Sequence, residues 1–248
     1  GVIVDLLEAA SRYLDDKTGR QFYPSIETRL YDIPGDSELW LDGDLLSVIT
    51  LTNGDATVIT TTNYKLNNPN FTPYHAIELK DISTVEWETN SSDSSQQVIS
   101  VAAWWGYRQK FAQRAWQSVG TLGAAITDTT TLAFTMTAGH SVTVGQILMV
   151  DSEIYNIATV ATNTITPIAR GDNGSTATTH SNGATVYAWK PQEEARNSVL
   201  EIANSAYNRR FGKSTGESAT VTAAGVVLTP RDIPKMADEF INNFRRWV

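Results

Sequence analysis

The chain of 248 residues contains no cysteine. That absence removes disulfides, thiolate metal sites and cysteine nucleophiles, and it leaves the redox compartment unread. No apolar run approaches the roughly 20 residues that cross a bilayer, and the opening residues lack the basic segment and apolar stretch of a secretory signal. A soluble protein made in a cytoplasm, without a membrane partner, is therefore expected. Positive charge is also short, at 19 Lys and Arg against 27 Asp and Glu, for a formal charge of −8 and a pI near 4.9. Binding to nucleic acid relies on clustered cations that release counterions from phosphate, so tight binding to DNA or RNA is not expected. An acidic surface would let DNA slide past without adhering, although most acidic proteins are merely soluble and that plainer reading comes first. Apolar material is ample: a hydrophobic content of 41% suffices for one large domain or two small ones.

Periodicity divides the chain. Ile3, Leu6, Leu7, Ala10, Tyr13 and Leu14 recur at three- and four-residue spacing, which predicts an amphipathic helix ending at Gly19. From about Ile26 to Trp105, short β-prone runs (IETRLYD, SELWLD, LLSVITLTN, ATVITT, HAIEL, QVISVAAWW) alternate with turn formers and read as antiparallel sheet. Asn53-Gly54 marks a hairpin. A short helix is expected over 108–117. Between Val119 and Ala188 charges become sparse and Thr, Ala, Gly and Val dominate, which reads as a separate small β-barrel or sandwich. Two helices follow. The first opens at Pro191 and runs towards Gly212 with Ala195, Val199, Ile202, Ala203, Ala206 and Tyr207 as its stripe. After a hairpin over ATVTAAGVVL, the second is expected from Thr229 and Pro230, with Ile233, Met236, Ala237, Phe240, Ile241 and Phe244 on one face. The fold class is thus α+β: a helical base from both chain ends, an antiparallel sheet region and an inserted β-domain. The domains are 1–118 plus 189–248, interrupted by 119–188.

No catalytic, cofactor or metal site emerges. His75, His140 and His180 lie in different β-segments and read as exposed loop residues. Asp42-Gly43-Asp44 has part of a calcium-loop pattern, but Leu45, Leu46, Val48 and Ile49 cannot supply the remaining oxygen ligands, so a turn between strands is expected. Gly212-Lys213-Ser214-Thr215 ends a helix where a phosphate loop would start one, and no strand precedes it. The pairs Asp151 with Glu153 and Glu86 with Glu88 sit at strand spacing; exposed charge is the default, and a carboxylate hydrolase would need a cleft around such a pair.

Seven tryptophans are many for this length. Core packing comes first for most of them, with sugar stacking and subunit contacts as the other uses. Trp247 differs, since it follows Phe244, Arg245 and Arg246 near the end of the sequence, where chains usually fray. Aromatic residues and arginines are enriched in binding hot spots. Docking on a partner and packing on the chain's own helical base both remain open for this segment.

Several segments together resemble the head-to-tail connector, or head-completion adaptor, proteins of tailed bacteriophages. They are LLEAASRYLDDKTGRQFYP (6–24), TRLYD (28–32), LWLDGDLLSVITLTNGD (39–55), NYKLNNPN (63–70) and Trp105-Gly106. In that family the opening helix ends in a Thr-Gly-Arg-x-Phe-like step, and the strand with Leu-Asp-x-Asp-Leu leads to a Thr-Asn-Gly-Asp-like hairpin. The segment MVDSEIYNIATVATNTITPIARGDNGSTATTHSNGATVY resembles a β-module of phage structural proteins, marked by Asp-Ser-Glu, Arg-Gly and Thr-Thr-His steps. The inserted stretch departs from the compact adaptor pattern, and with it the partner surfaces of compact relatives cease to be a guide.

The resemblance implies a structural virion protein of the neck, not an enzyme. It implies a homo-oligomeric ring, commonly of twelve subunits, stacked under the portal protein, with a downstream tail or neck protein on its other side. DNA would pass through the lumen without specific binding. Portal contacts are expected from the C-terminal helix, at Phe240, Phe244, Arg245, Arg246 and Trp247. The alternative is a β-rich adhesion or glycan-binding module of a phage particle, with Trp and Tyr stacking on sugars.

Overall fold

A computed structural model describes residues 1–211 and 233–246 together with the short strands at 220–221 and 227–228. The chain is α+β and packs into two compact units, one of residues 1–22 and 191–248, the other of residues 23–190. Acidic and basic residues balance in the first unit, at 11 of each, whereas the second carries 16 acidic and 8 basic residues. The formal negative charge of the protein thus resides in its β-rich unit.

The first unit is helical. Helix α1 (Val2–Thr18) ends at Gly19, whose left-handed backbone (φ 63°) lets its N–H reach the Asp15 carbonyl, as the composition of that step predicts. Helix α3 (Glu193–Phe211) places Glu193 and Glu194 in its first turn and Arg209 and Arg210 in its last, matching the helix dipole at both ends. Helix α4 (Lys235–Phe244) starts after Pro234, so Ile233 lies ahead of it. Thr229, Pro230 and the Gly212–Thr215 stretch lie outside the described residues. The three helices pack on one another, with Ala10, Leu14, Ala203, Ala237, Phe240 and Ile241 buried.

The second unit holds two antiparallel sheets. In the first, β1 (Ser25–Tyr31), β6 (Ile99–Trp105), β2 (Glu38–Thr52), β5 (Tyr74–Leu79) and β4 (Tyr64–Leu66) are neighbours in that order, and β3 (Val58–Ile59) extends the far end of β2. Strict alternation along β6 buries Ile99, Val101, Ala103 and Trp105 on one face, against Leu39, Leu45, Leu51 and Ile77. The expected turn at Asp42-Gly43-Asp44 is instead a bulge inside the 15-residue β2, where Trp40 to Leu45 oppose only Ala76 to Tyr74. A Cβ at Gly43 would push aside the Arg29 guanidinium, the far end of a flexible side chain, which lies 4.1 Å from the centre of the Trp105 ring. Asn53 and Gly54 do open the β2–β3 loop, but the left-handed residue is Ala56, and the Asn53 side chain is buried.

The expected helix over 108–117 shrinks to one turn, α2 (Phe111–Arg114), because Trp116 already begins the second sheet. That sheet runs β7 (Trp116–Thr121), β12 (Thr185–Trp189), β9 (Ile147–Val150), β10 (Glu153–Ala161), β11 (Thr164–Pro167) and β8 (Phe134–Thr135). The run QILMVDSEIYNIATVA therefore splits into two strands at Asp151-Ser152. No ladder closes the sheet. Its edge strands meet at an isolated bridge between Leu122 and Met136, flanked by hydrogen bonds from the Gly123 N–H to the Thr135 carbonyl and from the Thr137 N–H to the Thr121 carbonyl. Val119, Leu148, Val150, Tyr155, Ile157, Ile165 and Val186 form its core. The two sheets share a seam in which Leu46, Ala115 and Trp189 are buried against Trp104, Phe111, Trp116 and Ile147. In that seam Trp116 meets Trp189 edge-on at 5.2 Å and Trp104 at 6.0 Å, a geometry that adds favourable ring electrostatics to the buried area. Strands β13 (Thr220–Val221) and β14 (Val227–Leu228) pair antiparallel, in the segment where a hairpin was expected.

Candidate functional site

The residues expected to contact a partner lie on and after α4. Phe240 is 5% exposed and packs on Phe22 at 5.6 Å, while Phe244 stacks on Phe240 at 4.3 Å. Arg245 is exposed and Arg246 half-buried; Trp247 lies outside the described residues. The segment that receives this helix end is the Thr18-Gly19-Arg20-x-Phe22 step. Arg20 Nε donates to the Phe244 carbonyl at 2.6 Å, and the Arg246 N–H donates to the Thr18 carbonyl at 2.7 Å. A helix C-terminus leaves carbonyls without partners, so an arginine there satisfies one and complements the negative end of the dipole. One turn back, burial pushes the Asp15 carboxyl up to about 6, against the opposing pull of Arg12 and of the Phe22 N–H.

A second site is built from the three marker steps of the inserted module, which converge in space. Asp151 occupies the β9–β10 turn with φ 51°, Glu153 opens β10, Arg170 and Gly171 follow β11, and Thr178 and His180 precede β12. The Glu153 side chain is 0% exposed, and five donors converge on its carboxylate. Arg170 Nε (2.7 Å) and the Gly171 N–H (3.0 Å) reach Oε1. Arg170 Nη2 (3.0 Å), the Thr178 N–H (2.8 Å) and His180 Nε2 (3.0 Å) reach Oε2. Arg170 spends its remaining N–H groups on the carbonyls of Asp128, Thr131 and Thr178, so all five of its donors are used. His180 Nδ1 lies 2.7 Å from Asp151 Oδ2. Beneath this layer the Tyr155 ring faces the Arg170 guanidinium at 5.6 Å.

Electrostatics follow from the pairing. Burial raises the Glu153 carboxyl, but the hydrogen bonds from Arg170, Thr178 and His180 outweigh it and hold the group at about 2. Burial and the adjacent Glu153 charge push the Tyr155 phenol well above its ordinary value. A carboxylate whose oxygens are saturated with donors is a poor general acid or base, because it has neither a proton to give nor a position at which to take one. The cluster is therefore a structural clasp. Its loop also reaches the first sheet: Asn156 donates to Asn173 Oδ1, and Asn173 donates in turn to the Pro24 carbonyl at 2.9 Å.

Two sequence expectations are corrected here. His180 is buried, not an exposed loop residue, and Glu153 is buried charge, not exposed strand charge, with Asp151 in the turn instead of on the strand. The signal that could have found them was the sparseness of charge in this segment: Arg170 is its only basic residue, so burial of an acid there would demand that partner. His75 and His140 are not buried and stand apart from the clasp; His140 Nε2 contacts the Thr162 carbonyl. Asp42 is engaged by the Tyr31 hydroxyl at 2.6 Å and by Arg29 at 3.1 Å, and Asp44 is buried beside His75. Glu86 and Glu88 point to solvent while their backbone groups bind the Asn53 side chain. Among the described residues no cluster of His, Asp and Glu is arranged to hold a metal ion, and no helix is long and apolar enough to cross a membrane.

Of the tryptophans, Trp105 and Trp189 are core and Trp87, Trp104 and Trp116 pack against cores, but Trp40 on β2 is 66% exposed. Comparison of the chain with protein-family models, with curated proteins and with solved structures finds no match.

Proposed function

We propose that this chain is a head-to-tail connector subunit of a tailed bacteriophage, a virion protein of the neck that works by assembly and not by turnover. The observation that carries the reading is the role of the Thr18-Gly19-Arg20-x-Phe22 step. One of the segments that together carry the resemblance to the adaptors is also the one that grips the C-terminal helix, the element that the resemblance assigns to the portal. In this reading Phe240 and Phe244 hold α4 on the base from within, and the exposed Arg245 is presented to the portal protein. Copies of the chain form a ring, of twelve subunits by the resemblance, and a downstream tail or neck protein takes the opposite side.

The charge distribution supports passage of DNA without adhesion. Loops at one end of the first sheet are cross-linked by bonds from Gln97 N to Asp32 and from Asn53 to the 86–88 backbone. They expose Asp32, Asp36, Asp55, Glu86, Glu88 and Asp93, and such a surface in a lumen repels phosphate. Residues 119–188 form the inserted module of this reading, a small β-barrel or sandwich; the adaptor domain comprises 1–118 and 189–248.

Electron microscopy of the purified protein mixed with its portal tests the proposal. Rings of the chain stacked on the portal are expected; isolated subunits beside bare portals would overturn it. One observation favours the alternative of a glycan-binding module, the exposed indole of Trp40, and a glycan array separates the two because the connector reading predicts no binding there.

A further inference from the structure

The clasp contains a histidine whose two ring nitrogens both face carboxylate oxygens: Nδ1 lies 2.7 Å from Asp151 and Nε2 lies 3.0 Å from Glu153. A carboxylate only accepts, and a neutral imidazole donates from one nitrogen only. Both contacts are hydrogen bonds only when the ring carries two protons. In the neutral ring one nitrogen lone pair would point at an oxygen lone pair inside a site where the histidine side chain is 0% exposed. The other donor near Nε2 is the Thr178 hydroxyl, at a longer 3.4 Å, and all five Arg170 N–H groups are already committed. With the ring protonated, Asp151 and Glu153 are balanced by Arg170 and His180.

We propose that His180 is a proton-operated key: its cationic ring locks the 170–180 loop onto β10, and loss of one ring proton releases that loop. The groups facing the ring are few. Asp151 comes from the β9–β10 turn, Glu153 and Tyr155 from β10, and Arg170 and Thr178 from the loop itself. On the remaining side the backbone of Ile126 pairs with that of His180, and the nearby Asp128 carboxylate is occupied by Thr130 and Thr131. Release reaches beyond the module, since the same loop carries Asn173 and its bond to the Pro24 carbonyl at the start of β1. The inference stands on the geometry of the clasp and is independent of the connector reading.

Asp151→Asn provides the discriminating variant. Its side chain is 65% exposed and its backbone is left-handed, a conformation that asparagine tolerates, so the fold is retained. An asparagine amide can donate to Nδ1 while the neutral ring donates from Nε2 to Glu153, which removes the need for the second proton. The experiment is amide hydrogen exchange of the full chain, corrected for intrinsic rates, at Gly171 and Thr178, whose N–H groups both bind Glu153. As the pH is raised, protection in the parent is expected to fall with a slope of up to about tenfold per pH unit, the mark of one proton released on opening. The Asp151→Asn protein should show a flat profile. Equal slopes in the two proteins, or a flat profile in the parent, would overturn the assignment, as would ring-nitrogen NMR showing a single N–H on His180 in the folded parent near about pH 6.

Discussion

Arg20 donates from Nε to the main-chain oxygen of Phe244 across 2.6 Å, tying the residue that follows the opening helix to the last turn of the closing one. Phe22, two residues further on, supplies the apolar half of the same grip through Phe240. Replacing Phe22 with Ala should destabilise the helical unit by about 3–5 kcal/mol, the usual cost of emptying a phenylalanine site in a core. Arg20→Ala should cost less, on the order of 1–2 kcal/mol, since it removes one charge-assisted hydrogen bond. Urea denaturation followed by helical circular dichroism measures both, and equal effects of the two changes would contradict this division of roles.

Asp15 makes the helical unit sensitive to mild acid in an unusual direction. Its carboxyl is pushed from 3.8 up to about 6 in the folded chain, so between these values the folded state holds a proton that the unfolded state has lost. Stability contributed by the protonated form is full below about 4 and declines as the pH rises towards about 6. Asp15→Asn should flatten that part of the profile, as read from thermal midpoints across the range.

Glu153 works in the opposite sense. Its carboxyl is held at about 2 against an ordinary 4.5, so its contribution is complete above 4.5 and is lost as the pH falls towards about 2. Removing one partner of a buried pair strands the other: Glu153→Ala should cost about 3–5 kcal/mol, and Arg170→Met should cost a comparable amount. The double replacement should cost less than the sum of the single ones, because neither charge is then left alone. Chemical denaturation of the three variants completes that cycle.

Asn53 pins the long loop before β6. Its buried side chain donates to the Glu86 carbonyl at 2.8 Å and accepts from the N–H groups of Gly54 and Glu88, both at 3.0 Å. Asn53→Ala should cost about 1–3 kcal/mol through the backbone groups that it leaves unsatisfied. Local amide exchange should rise first at Glu88, ahead of global unfolding.

The strongly periodic parts of the fold were legible in the sequence, and the parts set by long-range pairing were not. The stripe of α1 and the alternation of β6 each follow from one local rule, a period of 3.6 or of 2. The Asp42-Gly43-Asp44 bulge has the local composition of a turn, and what identifies it as a bulge is non-local: its pairing with Ala76 and Tyr74 of β5 on either side. The short helix ahead of β7 was cut back because Trp116 pairs with Trp189, a partner 73 residues away. His180 and Glu153 were misread for the same reason: their polarity argued for exposure, and only the convergence of three distant steps supplies the five donors that make burial affordable. Asn53-Gly54 did open a loop, yet its importance lies in the buried amide side chain and not in the backbone freedom that drew attention to it.

The connector reading is tested most directly by sedimentation of the full chain with purified rings of its portal protein. Co-sedimentation as a stacked ring is predicted, weakened when the exposed Arg245 is changed to Glu and unaffected by Asp151→Asn in the inserted module. A chain that sediments alone in the presence of excess portal, at concentrations where it is fully folded, would contradict the account.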